Sequence, residues 1–123
     1  MEVLVIDDVE AVASALHRLI RKIVPSGWEV FHTTDPVEAR SLLVLDPRIR
    51  IAVVDILMPG LAGDALIEDA IRHRPDLRGR ILVSSGIDYP PYLAERLFGE
   101  LGCLRLDKPI EFEALESLVF RLV

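Results

Sequence analysis

Short, β-branched, continuously apolar runs recur along this chain, each followed by a stretch with helical spacing. That alternation restricts the possible folds more than any other feature. "EVLVID" (2–7), "IRIAVVD" (49–55) and "GRILVSS" (79–85) are too short for helices and apolar enough for strands buried on both faces. "WEVFHT" (28–33) and "CLRL" (103–106) read as shorter strands. Between them lie helical patterns. The first carries Val12, Leu16, Leu19, Ile20 and Ile23 on one side and stops at Pro25-Ser26-Gly27. Asp35-Pro36 predicts an N-cap and first helical position, with Glu38 placed for a capping box and an end near Leu45. Further helices are expected from about Gly63 to His73, over 90–101, and over "EFEALESLVFRLV" at the end. Met58-Pro59-Gly60 has the residues of a turn. Five strand–helix repeats imply a doubly wound α/β fold, a parallel sheet with helices on both faces.

The bulk numbers agree with one compact domain and little else. The chain has 123 residues, 51% of them hydrophobic, without an apolar run long enough to span a bilayer. One cysteine, Cys103, excludes an intramolecular disulfide and fits the cytoplasm. A formal net charge of −6 argues against direct nucleic-acid binding through the phosphate backbone.

In doubly wound sheets, ligands gather beyond the carboxyl ends of the strands. There the sequence places Asp7 and Asp8 after strand one, Asp55 after strand three, Ser84 and Ser85 after strand four, and Lys108 after strand five. Carboxylates about 4 Å apart repel by about 1 kcal/mol in water and about 4 kcal/mol at a protein surface. Three of them in one pocket call for a cation, and hard oxygen donors with open positions suit Mg²⁺. An aspartate beside Mg²⁺, faced by a hydroxyl and a lysine, is equipped for phosphoryl transfer. Each residue alone has a plainer reading. Asp7 or Asp8 would cap the first helix, Asp55 would make an Asx turn, Ser84 or Ser85 would be an ordinary strand-end serine, and Lys108 a solvated lysine. The ordered set is what points to chemistry. His17, His32 and His73 show no metal-ligand spacing, and the acidic "DDVEAV" replaces any phosphate-binding glycine loop.

"VLVIDD", "VVDILMPGLAG", "ILVSSG" and "LDKPI", in that order, resemble the receiver domain of two-component response regulators over essentially the whole chain. The resemblance implies a flavodoxin-like, CheY-like sheet of order 2-1-3-4-5, and Asp55 as phosphoacceptor, charged by a sensor histidine kinase or histidine phosphotransfer domain. It implies Mg²⁺ held by Asp7, Asp8, Asp55 and the Leu57 backbone carbonyl. Ser85 followed by Gly86 matches the switch hydroxyl and small residue, Lys108 matches the phosphate-binding lysine, and the bond to Pro109 is expected to be cis. A face of helix four, strand five and helix five is the family's output and dimer surface, and Phe120 hints at a contact there. The implied role is that of a signalling acceptor and not of an enzyme.

The sequence departs from the family pattern in three places. Ala62 stands where an acidic residue commonly precedes Gly63. Leu57 and Ile87 are apolar where some relatives position a hydrolytic water, which implies slow autodephosphorylation. Arg105 occupies the strand-five position of the usual switch Tyr or Phe. A buried, unpaired guanidinium is prohibitive, so Arg105 is expected to stay outward, paired with an acidic side chain such as Glu95 or Glu100. No output domain is expected in this chain, whether it acts alone or within a larger protein. Two other readings stay open: an aspartyl-phosphate phosphatase, against which stands the lack of D-x-D at "DIL", and a degenerate interaction module.

Overall fold

The computed structural model describes residues 1–56, 63–86 and 88–123. The strands are β1 (Glu2–Ile6), β2 (Glu29–Thr33), β3 (Ile49–Asp55), β4 (Ile81–Ser85) and β5 (Leu104–Asp107). The helices are α1 (Glu10–Ile23), α2 (Pro36–Leu45), α3 (Gly63–His73), α4 (Pro91–Ala94) and α5 (Phe112–Phe120). All five strands pair in parallel, in the order β2-β1-β3-β4-β5. Sequence order therefore reverses between β1 and β3, the place where such a sheet opens a crevice.

Alternation along the central strands builds two cores. Val3, Val5, Ile51 and Val53 face α1 and α5, packing with Ala13, Leu16, Ile20, Leu115 and Val119. Leu4, Ile6, Ala52 and Val54 face the other way, onto Leu43, Leu66, Ile67 and Leu97. Every residue of β1 is buried, which explains why it reads as a continuous apolar run. Burying each such aliphatic side chain stabilises the fold by about 1.5–3 kcal/mol before entropy is counted.

Local signals were partly overridden. Asp35 caps α2 as expected, accepting from the Val37 amide at 2.9 Å. The Asp35 amide, however, donates to Thr33 Oγ1 at 3.1 Å, so Thr33 takes the position a capping-box Glu38 would fill. The helix expected over 90–101 is α-helical for one turn only. It then widens into a π-helical turn at Glu95–Glu100, where the Leu101 amide reaches back five residues to the Arg96 carbonyl at 2.8 Å. The structure contains no described helix long and apolar enough to cross a membrane.

Gly63 opens α3 because nothing larger fits. A Cβ there would lie 2.8 Å from both Cα and Cδ1 of Ile56, the residue after Asp55. The missing side chain lets α3 close directly onto the end of β3.

Candidate functional site

Asp7 follows the last residue of β1 and Asp55 is the last residue of β3. The register pairs Ile6 with Val54, so the two carboxylates leave neighbouring strands side by side. Asp7 is 1% exposed and Asp55 6%, while Asp8 is open to solvent. Carboxylate oxygens of all three lie within 4.8 Å of one another. Asp7 also accepts the Val9 amide at 3.0 Å, a local turn that fixes its orientation at the entrance to α1. Asp7 thus makes a turn just before α1 and does not cap it, and it stands in the same group of carboxylates as Asp8 and Asp55. α1 begins after Val9, which offers no side-chain cap.

Lys108 is the cation that reaches this group. Its ammonium stands 3.0 Å from Asp7 Oδ2 and 3.8 Å from Asp55 Oδ2. Its amide donates to the Ser85 carbonyl at 3.1 Å, and its bond to Pro109 is cis. One ammonium among three carboxylates leaves a formal surplus of two negative charges. The donor set fits a hard divalent cation, which takes carboxylate oxygens, and all three side chains offer one within 4.8 Å of the others. Asp7, Asp8 and Asp55 are the residues that would hold it. The Leu57 carbonyl, Ala62 and Ile87 lie outside the described residues.

Ser85 ends β4, is 2% exposed and is in register with Asp107. Ser84 pairs with Asp55 across the sheet, and its hydroxyl is buried without a hydrogen-bond partner among the described residues. Gly86 leaves space beside Lys108: a Cβ at that position would lie 3.9 Å from Lys108 Cβ, an ordinary contact. Beside these residues a pocket of about 180 Å³ extends over Ser85, Gly86, Asp88 and Lys108 to Arg105 and Asp107.

Arg105 lies exposed on β5, and its Nε donates to Asp107 Oδ1 at 2.8 Å. This corrects the expected pairing with Glu95 or Glu100. Residues two apart on a strand share a face, so Asp107 is nearer than any helix carboxylate. The guanidinium also lies over Tyr89, 4.8 Å from the ring centroid, and 5.6 Å from that of Phe98. Tyr89 meets Phe98 edge-on at 5.3 Å. Its hydroxyl is buried without a hydrogen-bond partner among the described residues, and burial pushes its pKa up. Sequence reasoning missed Tyr89. The only signal was an aromatic residue in a loop otherwise built for turning.

No family model matches the chain, and no curated protein does. Solved structures do. A response regulator receiver protein from Pseudomonas putida is 29% identical, covering 98% of this chain and 95% of that one, with a TM-score of 0.82. The signal receiver domain of a DNA-binding response regulator from Colwellia psychrerythraea 34H is 20% identical, covering 99% and 97%, with a TM-score of 0.83. The chemotaxis protein CheY4 of Vibrio cholerae is 20% identical, covering 99% and 98%, with a TM-score of 0.79. The class defined by fold and site is thus the CheY-like α/β domain with an acidic pocket at the sheet's switch point. The solved structures that share this fold are response regulator receiver domains, matched over 95–98% of their own length.

Proposed function

We propose that the protein is the phosphoacceptor module of a two-component phosphorelay, taking a phosphoryl group onto Asp55. The supporting observation is the placement of a nearly buried Asp55 within reach of Lys108 and beside Asp7 and Asp8. An Asp55 oxygen forms the new P–O bond while the P–N bond of a donor phosphohistidine breaks. The imidazole leaves with the bonding electron pair and takes up a proton. A Mg²⁺ held by Asp7, Asp8 and Asp55 would supply positive charge to the phosphoryl oxygens. Lys108, already between Asp7 and Asp55, turns its ammonium to a second phosphoryl oxygen, and the Ser85 hydroxyl donates to a third. The protein acts as a stoichiometric carrier and not as a catalyst.

A groove beside this pocket supports a seat for the donor. A groove of about 370 Å³ runs over Val12, Ala15, Leu16 and Leu19 of α1 to Pro109 and Ile110, bordered by Lys108. A helix of a histidine kinase or phosphotransfer domain lying there would bring its histidine to the mouth of the pocket, in the cytoplasm. On another face, exposed Tyr92, Arg105 and Phe120 offer the α4–β5–α5 surface to a downstream protein or a second copy.

The test is intact mass measurement after incubation with Mg²⁺ and acetyl phosphate. One added phosphoryl group is expected on the parent and none on Asp55→Asn, whose amide cannot attack phosphorus. Acetyl phosphate turnover without an adduct would indicate a phosphatase, and inertness a degenerate module. Full labelling of Asp55→Asn would move the acceptor elsewhere.

A further inference from the structure

Helix α2 is apolar around most of its circumference. "PVEARSLLVL" buries Ala39 and Leu43 against the sheet, yet also leaves Val37 68% and Leu45 77% exposed. A helix hydrophobic on all sides normally lies inside a protein. Beside it, β2 is an edge strand paired only with β1, and Phe31 on it is 45% exposed. Between strand and helix runs a groove of about 340 Å³ floored by Leu4, Phe31, Leu42 and Ile49. It continues along α2 as a second hollow of about 480 Å³ over Leu42, Leu45 and Pro47.

The rim of this groove is mainly acidic, with His32 and Arg48 also on it. Glu2, Glu29, Glu38 and Asp46 border it, against the single guanidinium of Arg48. Arg48 is already engaged, with Asp46 at 3.1 Å and Glu2 at 3.6 Å. Burial, and then the neighbouring Asp46, favour the neutral form of Glu2, so the rim's available negative charge lies on Glu29 and Glu38, which make no ion pair among the described residues. A cation arriving at the rim would therefore meet carboxylates in excess of their partners. A second copy docked symmetrically would instead oppose one acidic rim to another, in a chain of net charge −6. The groove also lies away from Lys108 and the carboxylate pocket, so its occupancy does not depend on the phosphoacceptor reading.

We propose that the β2–α2 groove docks a partner protein through a basic amphipathic helix, with apolar side chains over Phe31, Leu42 and Leu45 and lysines or arginines at the Glu29, Glu38 and Asp46 rim. This surface lies on the opposite side of β1 from α4 and β5, so the chain can hold one protein there while its phosphorylation pocket serves another.

The experiment is an amide NMR titration of the intact protein, with Mg²⁺ present, using a synthetic helix of about 15 residues with leucine on one face and lysine on the other. A scrambled peptide of identical composition is the control. The amphipathic peptide should shift resonances of β2 and α2 and bind at least tenfold tighter than the scramble. Phe31→Asn combined with Leu45→Asn, both at exposed positions, should weaken it about tenfold. Glu38→Lys should weaken it several-fold at low salt and less at high salt. Equal binding of the two peptides, shifts confined to Asp7, Asp8 and Asp55, or an unaffected double variant would each overturn the proposal. So would concentration-dependent self-association abolished by the double variant, which would show that a second copy covers the face.

Discussion

The two ends of the sheet handle charge in opposite ways. At the carboxyl ends, Asp7, Asp8 and Asp55 crowd together with one lysine between them. At the amino ends of β3 and β4, arginines dominate and each is consumed by nearby acceptors. Arg74, with only 8% of its side chain exposed, donates to the carbonyls of Asp46 at 2.7 Å and Ile49 at 2.8 Å. It also reaches the Leu43 carbonyl at 3.3 Å and pairs with Asp76 at 2.7 Å. Arg80 donates to the Arg50 carbonyl at 2.7 Å and to Leu122, Arg78 donates to Glu100, and Arg50 meets Asp76 at 2.6 Å. The last carbonyls of a helix lack intrahelical partners, and Arg74 answers those at the end of α2. At the amino ends of β3 and β4 the charges are matched by the protein's own atoms, while at the carboxyl ends one ammonium stands among three carboxylates. Removing a charge should therefore have opposite effects at the two ends.

The largest effect is expected at Arg74. Arg74→Met keeps the aliphatic stem but strands several carbonyls and leaves Asp76 to Arg50 alone, at a cost of about 2–4 kcal/mol. Urea denaturation should show this as a lower midpoint with an unchanged slope, and the folded fraction should still accept phosphoryl on Asp55. A midpoint within error of the parent would show that water replaces the guanidinium, and the contrast between the ends would fail.

Next in size is the reverse experiment. Asp8→Asn removes one of the crowded carboxylates, so it should melt a few degrees above the parent in EDTA. It should also gain less from added Mg²⁺, because ligand stabilisation follows affinity for the folded state. A lower melting point in EDTA would mean that Lys108 and local hydrogen bonds already neutralise the cluster.

The smallest effect concerns acid. The Arg74 hydrogen bond holds Asp76 below the ordinary carboxylate pKa of 3.8, with the Arg74 and Arg50 charges assisting. With a folded pKa below the unfolded one, its contribution is present above about pH 4. It fades as pH falls through the folded value. Asp76 is 42% exposed on its side chain, so screening keeps this contribution under about 1 kcal/mol. Asp76→Asn should flatten the acid limb of a stability–pH curve slightly, and an identical limb would remove Asp76 from the account.

The contrast also explains what was legible in the sequence. Residues at the carboxyl ends announce themselves, because each polar side chain interrupts or terminates an apolar run: "VVD", "VIDD" and "VSS" are visible as exceptions. The strand–helix alternation was legible for the same reason, since burial on both faces forces continuous hydrophobicity. Arg74 sits in "RHRPD", which reads as a solvated tract. Its role appears only when the end of α2 and the end of α3 are brought together in space. The Arg105 stack over Tyr89 and Phe98 likewise joins a loop, a helix and a strand. The π-helical turn after Ala94 left only a weak local sign in Gly99, since many sequences with one glycine stay α-helical. The partner of Arg105 was in plain view in "RLD", but the expectation looked across to helix four instead of two residues along the strand.

Gly63 carries a lesson for anyone who screens variants of this chain for loss of phosphorylation. An alanine there adds one methyl group, changes no charge and touches none of the polar residues of the pocket. It would nonetheless press on Ile56 and displace the end of β3, moving Asp55 relative to Lys108. On the proposed function, such a variant would lose phosphorylation while keeping every reactive group, and a map of variants would place a hydrogen atom among the parts the site depends on.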